Sequence, residues 1–297
     1  MAERNDPGPA DGDWLAVIVD ELALAGLSKQ TVSRLTGVAE RFRQFALRAH
    51  GVRHLGDVTP QIAAGFVRAP TISGPPGPNT MHFRRWVLRV LFRTARQLGL
   101  IAIEPTLDLE LPARDGQKLR PLTDDEIAVC HSFSICSLNE TRLPAALALA
   151  EATGRTSEIG FVRARDVDLA AGTVILSAGS RTPRLAELSE WGRTQLDRRL
   201  GALRRTDGAP DRFLIYSGRG SDVSRQAAAC TTLRRIFELA QLGDDPAVRP
   251  LSIVAWAGRR MLDETGRIDG VARRLGMRSI DATADLIGWD WQTADID

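Results

Sequence analysis

Residues 112–121 read PARDGQKLRP, a polar stretch with proline at both ends, and no helix or strand runs through it. Everything else in the chain has to be organised around that break. It predicts two separately packed bodies, residues 14–111 and 122–297, joined by residues 112–121 and preceded by a disordered lead-in at 1–13, which holds Pro7, Gly8, Pro9 and Gly12 and no periodic apolar face. A chain of 297 residues with 43% hydrophobic content can fill two cores. This composition excludes collagen, coiled coil and wholesale disorder. No run reaches the roughly 20 apolar residues of a membrane helix, and Met1 to Asp13 is acidic and polar instead of a basic leader, so a soluble cytoplasmic protein is expected.

Both bodies read as mainly helical. From Ser28, Val32, Leu35, Val38, Phe42, Phe45 and Ala46 recur at three- and four-residue spacing up to Gly51. Thr59-Pro60 opens a short helix, since proline fits the first helical position. Thr71 to Asn79 carries three prolines and two glycines and reads as a loop, with Asn79 capping a long helix from Thr80 to Leu98 that Gly99 ends. In the second body, Thr123 and Glu126 have capping-box spacing, and Leu143 to Thr153 reads as a buried helix. The β-branched run Thr173 to Ser177 and the stretch Arg184 to Leu188 predict a small hairpin, and Phe213 to Tyr216 a further short strand. Helices are predicted from Ser189 to Leu203, Val223 to Leu242, Ser252 to Thr265, Ile268 to Leu275 and Ser279 to Ile287.

The net charge of +2 conceals an uneven distribution. Of the 39 basic residues only Lys29 and Lys118 are lysines, and residues 25–115 carry 13 bases against six acids. Arg84, Arg85, Arg89, Arg93 and Arg96 lie on one helix with Trp86, and almost no acid stands one turn away to neutralise them. Such forks suit phosphate oxygens and point to an anionic polymer; the bland alternative is a solvated stripe whose stems cover apolar neighbours. Cys130, His131 and Cys136 supply three metal-ligand types without a nearby fourth, so no metal or cofactor is expected. Three cysteines in a chain of this length are read as reduced thiols.

Several strings, in order, resemble tyrosine recombinases of the phage-integrase type. SKQTVSRLTGVAERFRQFA, LGDVTPQIAAGFV and NTMHFRRWVLRVLFRTARQLGLIAIEPTLDLELP resemble the helices of that family's core-binding domain. LTDDEI, ATGRTSEIGFVRARDVDLAAGTVIL, RFLIYSGRG and VARRLGMRSID resemble the segments of its catalytic domain. The resemblance implies a mainly α architecture: an all-helical, SAM-like core-binding domain, then a mostly helical α+β domain with a small β-hairpin. It also implies double-stranded DNA as the partner, with other recombinase subunits or self-association on DNA as further partners.

In that family a tyrosine hydroxyl attacks the scissile phosphate, arginines hold its nonbridging oxygens, a hairpin lysine protonates the leaving oxygen, and His or Trp groups assist. Arg155 and Glu158 match the first arginine and its acidic neighbour; the alternative for the pair is a structural ion pair. The other groups depart from the pattern. The hairpin has no lysine, and its Arg181 and Arg184 suit phosphate binding but not proton donation. Where the family has His-x-x-Arg-His, this chain has Ser252 to Trp256, with Ser252 and Ala255 in place of the histidine and arginine, and Arg259 and Arg260 one turn later. The Leu-Gly-His turn is Leu275-Gly276-Met277, and the tyrosine position falls on or near Leu286. Tyr216, the only tyrosine, lies seventy residues earlier in an apolar run, and His50, His54, His82 and His131 all precede this region. Trp289 and Trp291 stand where a nucleophile-bearing tail would run and are read as packing residues.

The residues therefore predict a DNA-binding protein of recombinase build with no catalytic group set, derived from or acting in DNA integration or recombination. Its contacts would come from Arg84, Arg85, Arg89, Arg93, Arg96, Arg155, Arg181, Arg184 and Arg259. Roles open to it include accessory factor, directionality or copy control, and regulator derived from a mobile element. The rival reading is an active recombinase with a non-standard site or one completed by a partner.

Overall fold

The computed structural model describes the chain except residues 1–13, 25–28, 114–117, 136, 138, 178–182, 206–210, 219 and 291–297. The expected lead-in, Arg181 and Trp291 lie outside the described residues. The chain divides into two compact units, residues 1–116 and 117–297. Among the described residues no helix is long and apolar enough to cross a membrane.

The first unit is helical: α1 (Trp14–Leu24), α2 (Lys29–His50), α3 (Pro60–Arg68) and α4 (Pro78–Gln97). Its core forms where Phe42 of α2 meets Phe66 of α3 and Phe92 of α4, ring centroids 5.2 and 5.9 Å apart in edge-on geometry. Thr59 caps α3 by accepting the Ile62 N–H at 3.3 Å. The start of α4 differs from expectation. Asn79 lies inside the helix, because Pro78, with no N–H to lose and φ already helical, takes the first position and Gly77 becomes the cap. Gly99, at φ +73°, ends the helix and lets the Leu100 N–H return to the Ala95 carbonyl at 2.9 Å.

The second unit is built around α6 (Arg142–Glu151), which packs on five other helices and buries eight of its ten residues, so its Ala/Leu sequence needs no polar face. Around it stand α5 (Asp124–Ser134), α7 (Thr156–Ile159), α8 (Glu190–Arg204), α9 (Asp222–Leu239), α10 (Pro250–Thr265), α11 (Ile268–Arg274) and α12 (Ile280–Leu286). The capping box is present: Thr123 Oγ1 accepts the Glu126 N–H, and Glu126 accepts the Thr123 N–H at 2.8 Å. Three antiparallel strands, β1 (Val167–Asp168), β2 (Thr173–Leu176) and β3 (Arg184–Glu187), lie in that order. Val174 and Leu176 are buried while Ile175 between them is exposed, the alternation of a sheet with one wet face.

Two expectations are corrected here. Phe213 to Tyr216 is not a strand: Phe213 makes one isolated bridge to Arg163, and Leu214 donates to the Val162 carbonyl at 2.9 Å. Pairing stops there because Ala164–Asp166 winds into a 3-10 turn, so the partner strand runs out. Helix α9 ends at Leu239 instead of Leu242, since Gln241 adopts φ +57° and the Leu242 N–H turns back to the Phe237 carbonyl at 2.8 Å.

Candidate functional site

The end of α6 prepares the site. Thr153 takes φ +71°, and Gly154 is wedged so closely that a Cβ there would stand 2.6 Å from the Leu149 carbonyl oxygen. The chain reverses in this turn and presents Arg155 ahead of α7. Glu158, buried at 3% exposure, accepts the Arg155 backbone N–H at 2.9 Å.

The carboxylate of Glu158 pairs with Arg184 of β3, at 2.9 Å to Nη2 and 3.3 Å to Nε. Arg184 gives its remaining N–H groups to Thr153 Oγ1 (2.6 Å), the Thr153 carbonyl (2.6 Å) and the Arg274 carbonyl (2.7 Å). All five donors of that guanidinium are spent. Arg184 is thereby corrected from a phosphate contact to the bolt between the α6–α7 turn, the sheet and α11. The structural alternative for Arg155 and Glu158 is corrected too: the buried ion pair exists, but its cation is Arg184.

Arg155 instead donates through Nη2 to the Leu275 carbonyl at 3.0 Å and lies 2.9 Å from Met277 Sδ. It lines a cleft of about 490 Å³ with Lys118, Leu119, Leu251, Met277, Ala282, Asp285 and Leu286. The resemblance thus brings Arg155, Met277 and Leu286 to one place, with apolar side chains at the last two. Ser252 is fully buried, accepting the Arg249 N–H at 3.1 Å, and Ala255 is fully buried as well. Tyr216 is held by its loop: its hydroxyl accepts the Gly220 N–H at 2.7 Å ahead of α9. Trp289 packs against the apolar cluster of Val254, Leu262, Val271, Leu275 and Ile287.

Lys118 is the cleft residue that sequence reasoning missed. It was placed in the linker, far in sequence from any site element, yet its Nζ lies 2.9 Å from Asp285 Oδ1 at the cleft rim, which raises the pKa of the ammonium. No local pattern announces this contact; it spans 167 residues. The adjoining Arg120 is bonded to both Glu126 (2.6 Å) and Asp245 (2.9 Å), so residues 118–121 are bound into the second unit.

The arginines of α4 separate into three kinds. Arg84 is turned inward: Nη1 donates to the carbonyls of Phe66 (3.0 Å), Val67 (3.3 Å) and Ala69 (2.5 Å), capping the end of α3, and burial lowers its pKa. It is corrected from phosphate contact to helix cap. Arg85 and Arg89 are half-buried, each with a buried Nε that has no partner; Arg89 donates to the Leu107 carbonyl at 3.2 Å, and Arg85 borders Leu107 to Leu111. Arg93 and Arg96 are exposed. Among the described residues no carboxylate comes within ion-pair distance of these last four, although Asp108 and Glu110 line a hollow with Arg85. Trp86 is exposed beside them and stacks on Phe83, whose other neighbour is the Arg34 guanidinium at 5.0 Å.

Arg259 pairs one turn along α10 with Asp263 at 3.0 Å, and Arg260 with Glu264 at 3.3 Å, both pairs exposed on the surface. Cys130 is buried, with its thiol pushed up to about 12 by desolvation. Among the described residues no cluster of metal-ligating side chains is present.

No family model matches the chain, and no curated protein matches it by sequence. Solved structures do match, over nearly the whole length. The chain is similar to a lambda integrase dimer bound to a COC' core site, with TM-score 0.66 and 15% identity over 96% of this chain and 99% of that one. It is similar to the Tn1549 transposon integrase in complex with transposon right end DNA, with TM-score 0.67 and 15% identity over 92% and 94%. XerA recombinase matches with TM-score 0.50 and 16% identity over 94% of each chain. The chain has the fold of the tyrosine recombinases.

Proposed function

We propose that this protein binds duplex DNA with a recombinase scaffold and does not cut it. The observation that carries this reading is the composition of the Arg155 cleft: Met277 and Leu286 border it where the family resemblance expects an assisting histidine and the nucleophile. The only tyrosine hydroxyl is engaged by the Gly220 N–H. Without an attacking hydroxyl the covalent route has no first step. What remains suits grip. Arg93 and Arg96 are exposed cations with no acid within ion-pair reach among the described residues, Arg85 and Arg89 extend the same face, and Arg155 lines a cleft.

The fold-mates whose structures contain DNA support the same direction, and place in integration or recombination follows as an accessory or regulatory DNA binder. The test has two arms. Purified protein is expected to shift random duplex at about 50 mM salt, with affinity falling steeply as salt rises. A nicked suicide duplex is expected to yield no covalent protein–DNA adduct. Absence of binding removes the reading, and an adduct replaces it with that of an active recombinase.

A further inference from the structure

We propose that residues 107–112 are an autoinhibitory strap: in the free protein they lie against Arg85 and Arg89 of α4, and they lift away when duplex DNA takes those two arginines. This rests on the reading of the protein as a DNA binder and adds a control on two of the four cations of its basic face.

The strap is held at three points, each time by a main-chain carbonyl. Arg89 donates Nη2 to the Leu107 carbonyl at 3.2 Å, and Arg68 at the end of α3 donates Nη2 to the Glu110 carbonyl at 3.3 Å. His82 Nε2 lies 2.9 Å from the Pro112 carbonyl oxygen, the third clamp. The carboxylates are left over. Residues 104–112 hold three acids and no base, and Asp108 and Glu110 are exposed with no side-chain partner among the described residues. While the strap is closed, these two charges stand beside Arg85 and repel an approaching phosphate.

The closed state is poorly secured. Residues 109–113 belong to no helix or strand. Hollows flank the segment on both sides, one of about 480 Å³ towards Arg85 and one of about 380 Å³ towards Pro60 and Arg68. Leu109, at 7% exposure, is its buried apolar anchor, while Leu107 is 56% exposed. Closure also leaves the buried Nε of both Arg85 and Arg89 without a partner, a cost that ends when the strap lifts. A charged phosphate oxygen is a stronger acceptor for Arg89 than the neutral Leu107 carbonyl, so duplex DNA favours the open state.

The experiment measures equilibrium binding of the full chain to a random duplex across a salt series, for wild type and two clamp variants. Arg68→Gln removes a cation, so charge alone demands weaker binding; release of the strap demands tighter binding. It is expected to tighten binding by up to about fivefold, the worth of one hydrogen bond, because apparent affinity scales with the open fraction. The slope of log affinity against log salt is expected to stay at the wild-type value, since the bound state is the same. His82→Phe removes the clamp on Pro112, leaves the formal charge unchanged, and is expected to tighten binding in the same sense. Arg68 is exposed, and unchanged thermal unfolding verifies that the variants are folded. In parallel, a glutamate-specific protease reads the strap directly: cleavage after Glu110 is expected to accelerate several-fold in Arg68→Gln, and in wild type when saturating duplex is added.

Weaker binding by Arg68→Gln with a slope reduced by about 0.9 makes Arg68 a phosphate contact and overturns the inference. Wild-type affinity in both clamp variants overturns it too, as does duplex that slows cleavage after Glu110 or leaves it unchanged. In each of these cases wild-type binding stands and the DNA reading survives. If none of the three proteins binds duplex, both fall.

Discussion

Glu158 and Arg184 form the buried ion pair of the second unit, 2.9 Å apart and at 4% and 14% side-chain exposure, 26 residues apart in sequence. Arg155, three residues from Glu158, gives that carboxylate its backbone N–H at 2.9 Å. The two arginines nearest that carboxylate thus divide the work, one holding the fold and the other facing the cleft.

That division predicts opposite phenotypes. Arg184→Ala leaves Glu158 buried without its cation and is expected to cost about 3–5 kcal/mol, read as a lower urea midpoint. Arg155→Ala is expected to leave the midpoint close to wild type and to weaken duplex binding. Equal destabilisation by both variants would contradict the assignment.

Arg84 yields a second contrast, within one helix. Its three carbonyl partners at the end of α3 make Arg84→Ala a stability variant, expected to cost roughly 2 kcal/mol with the salt slope of DNA binding retained. Arg93→Ala with Arg96→Ala removes two exposed cations and is expected to leave unfolding cooperative while lowering the slope by about 1.8, two contacts' worth. Titrating affinity against salt for the three proteins separates the roles.

How far these roles were legible depends on the distance over which they are set. The Thr59-Pro60 start, the Thr123–Glu126 box and the β2–β3 hairpin are local, and residues within a few positions suffice to read them. Arg84 and Arg184 were read as phosphate ligands because an arginine looks alike whether it faces water or a row of carbonyls. Their acceptors come from Phe66 to Ala69 and from Thr153, Glu158 and Arg274, which no spacing rule connects to them. Asp108 and Glu110 show the same effect: neither stands one turn from an arginine in sequence, yet residues 107–111 bring both beside Arg85. Phe213 to Tyr216 has strand composition, but a strand is decided by its partner, and the partner turns away after Arg163.

The Arg120 cluster makes acid sensitivity predictable. Hydrogen bonding to Arg120 holds the Glu126 carboxyl below its usual value of 4.5, and Asp245 is lowered by the Ala247 N–H and then by Arg120. A carboxyl with a depressed folded pKa stabilises the fold above its unfolded pKa, and that stabilisation disappears as pH falls through the folded value. Unfolding free energy is therefore expected to decline from about pH 4.5 downward, and Glu126→Gln is expected to flatten that acid limb while lowering stability at pH 7. A limb of unchanged steepness in the variant would remove Glu126 as its source.

Tyr216 decides between grip and cutting most directly. Its hydroxyl accepts the Gly220 N–H at 2.7 Å and so fixes the loop that leads into α9. Tyr216→Phe deletes that one hydrogen bond and is expected to cost about 1 kcal/mol of stability. Duplex affinity should stay within twofold, since no phosphate contact is assigned to the ring. On a nicked suicide duplex both proteins are expected to form no adduct, because the loop directs the hydroxyl at its own backbone and no second tyrosine exists in the chain. An adduct formed by wild type and lost in Tyr216→Phe would make this tyrosine a displaced nucleophile, and the protein a cutting enzyme after all.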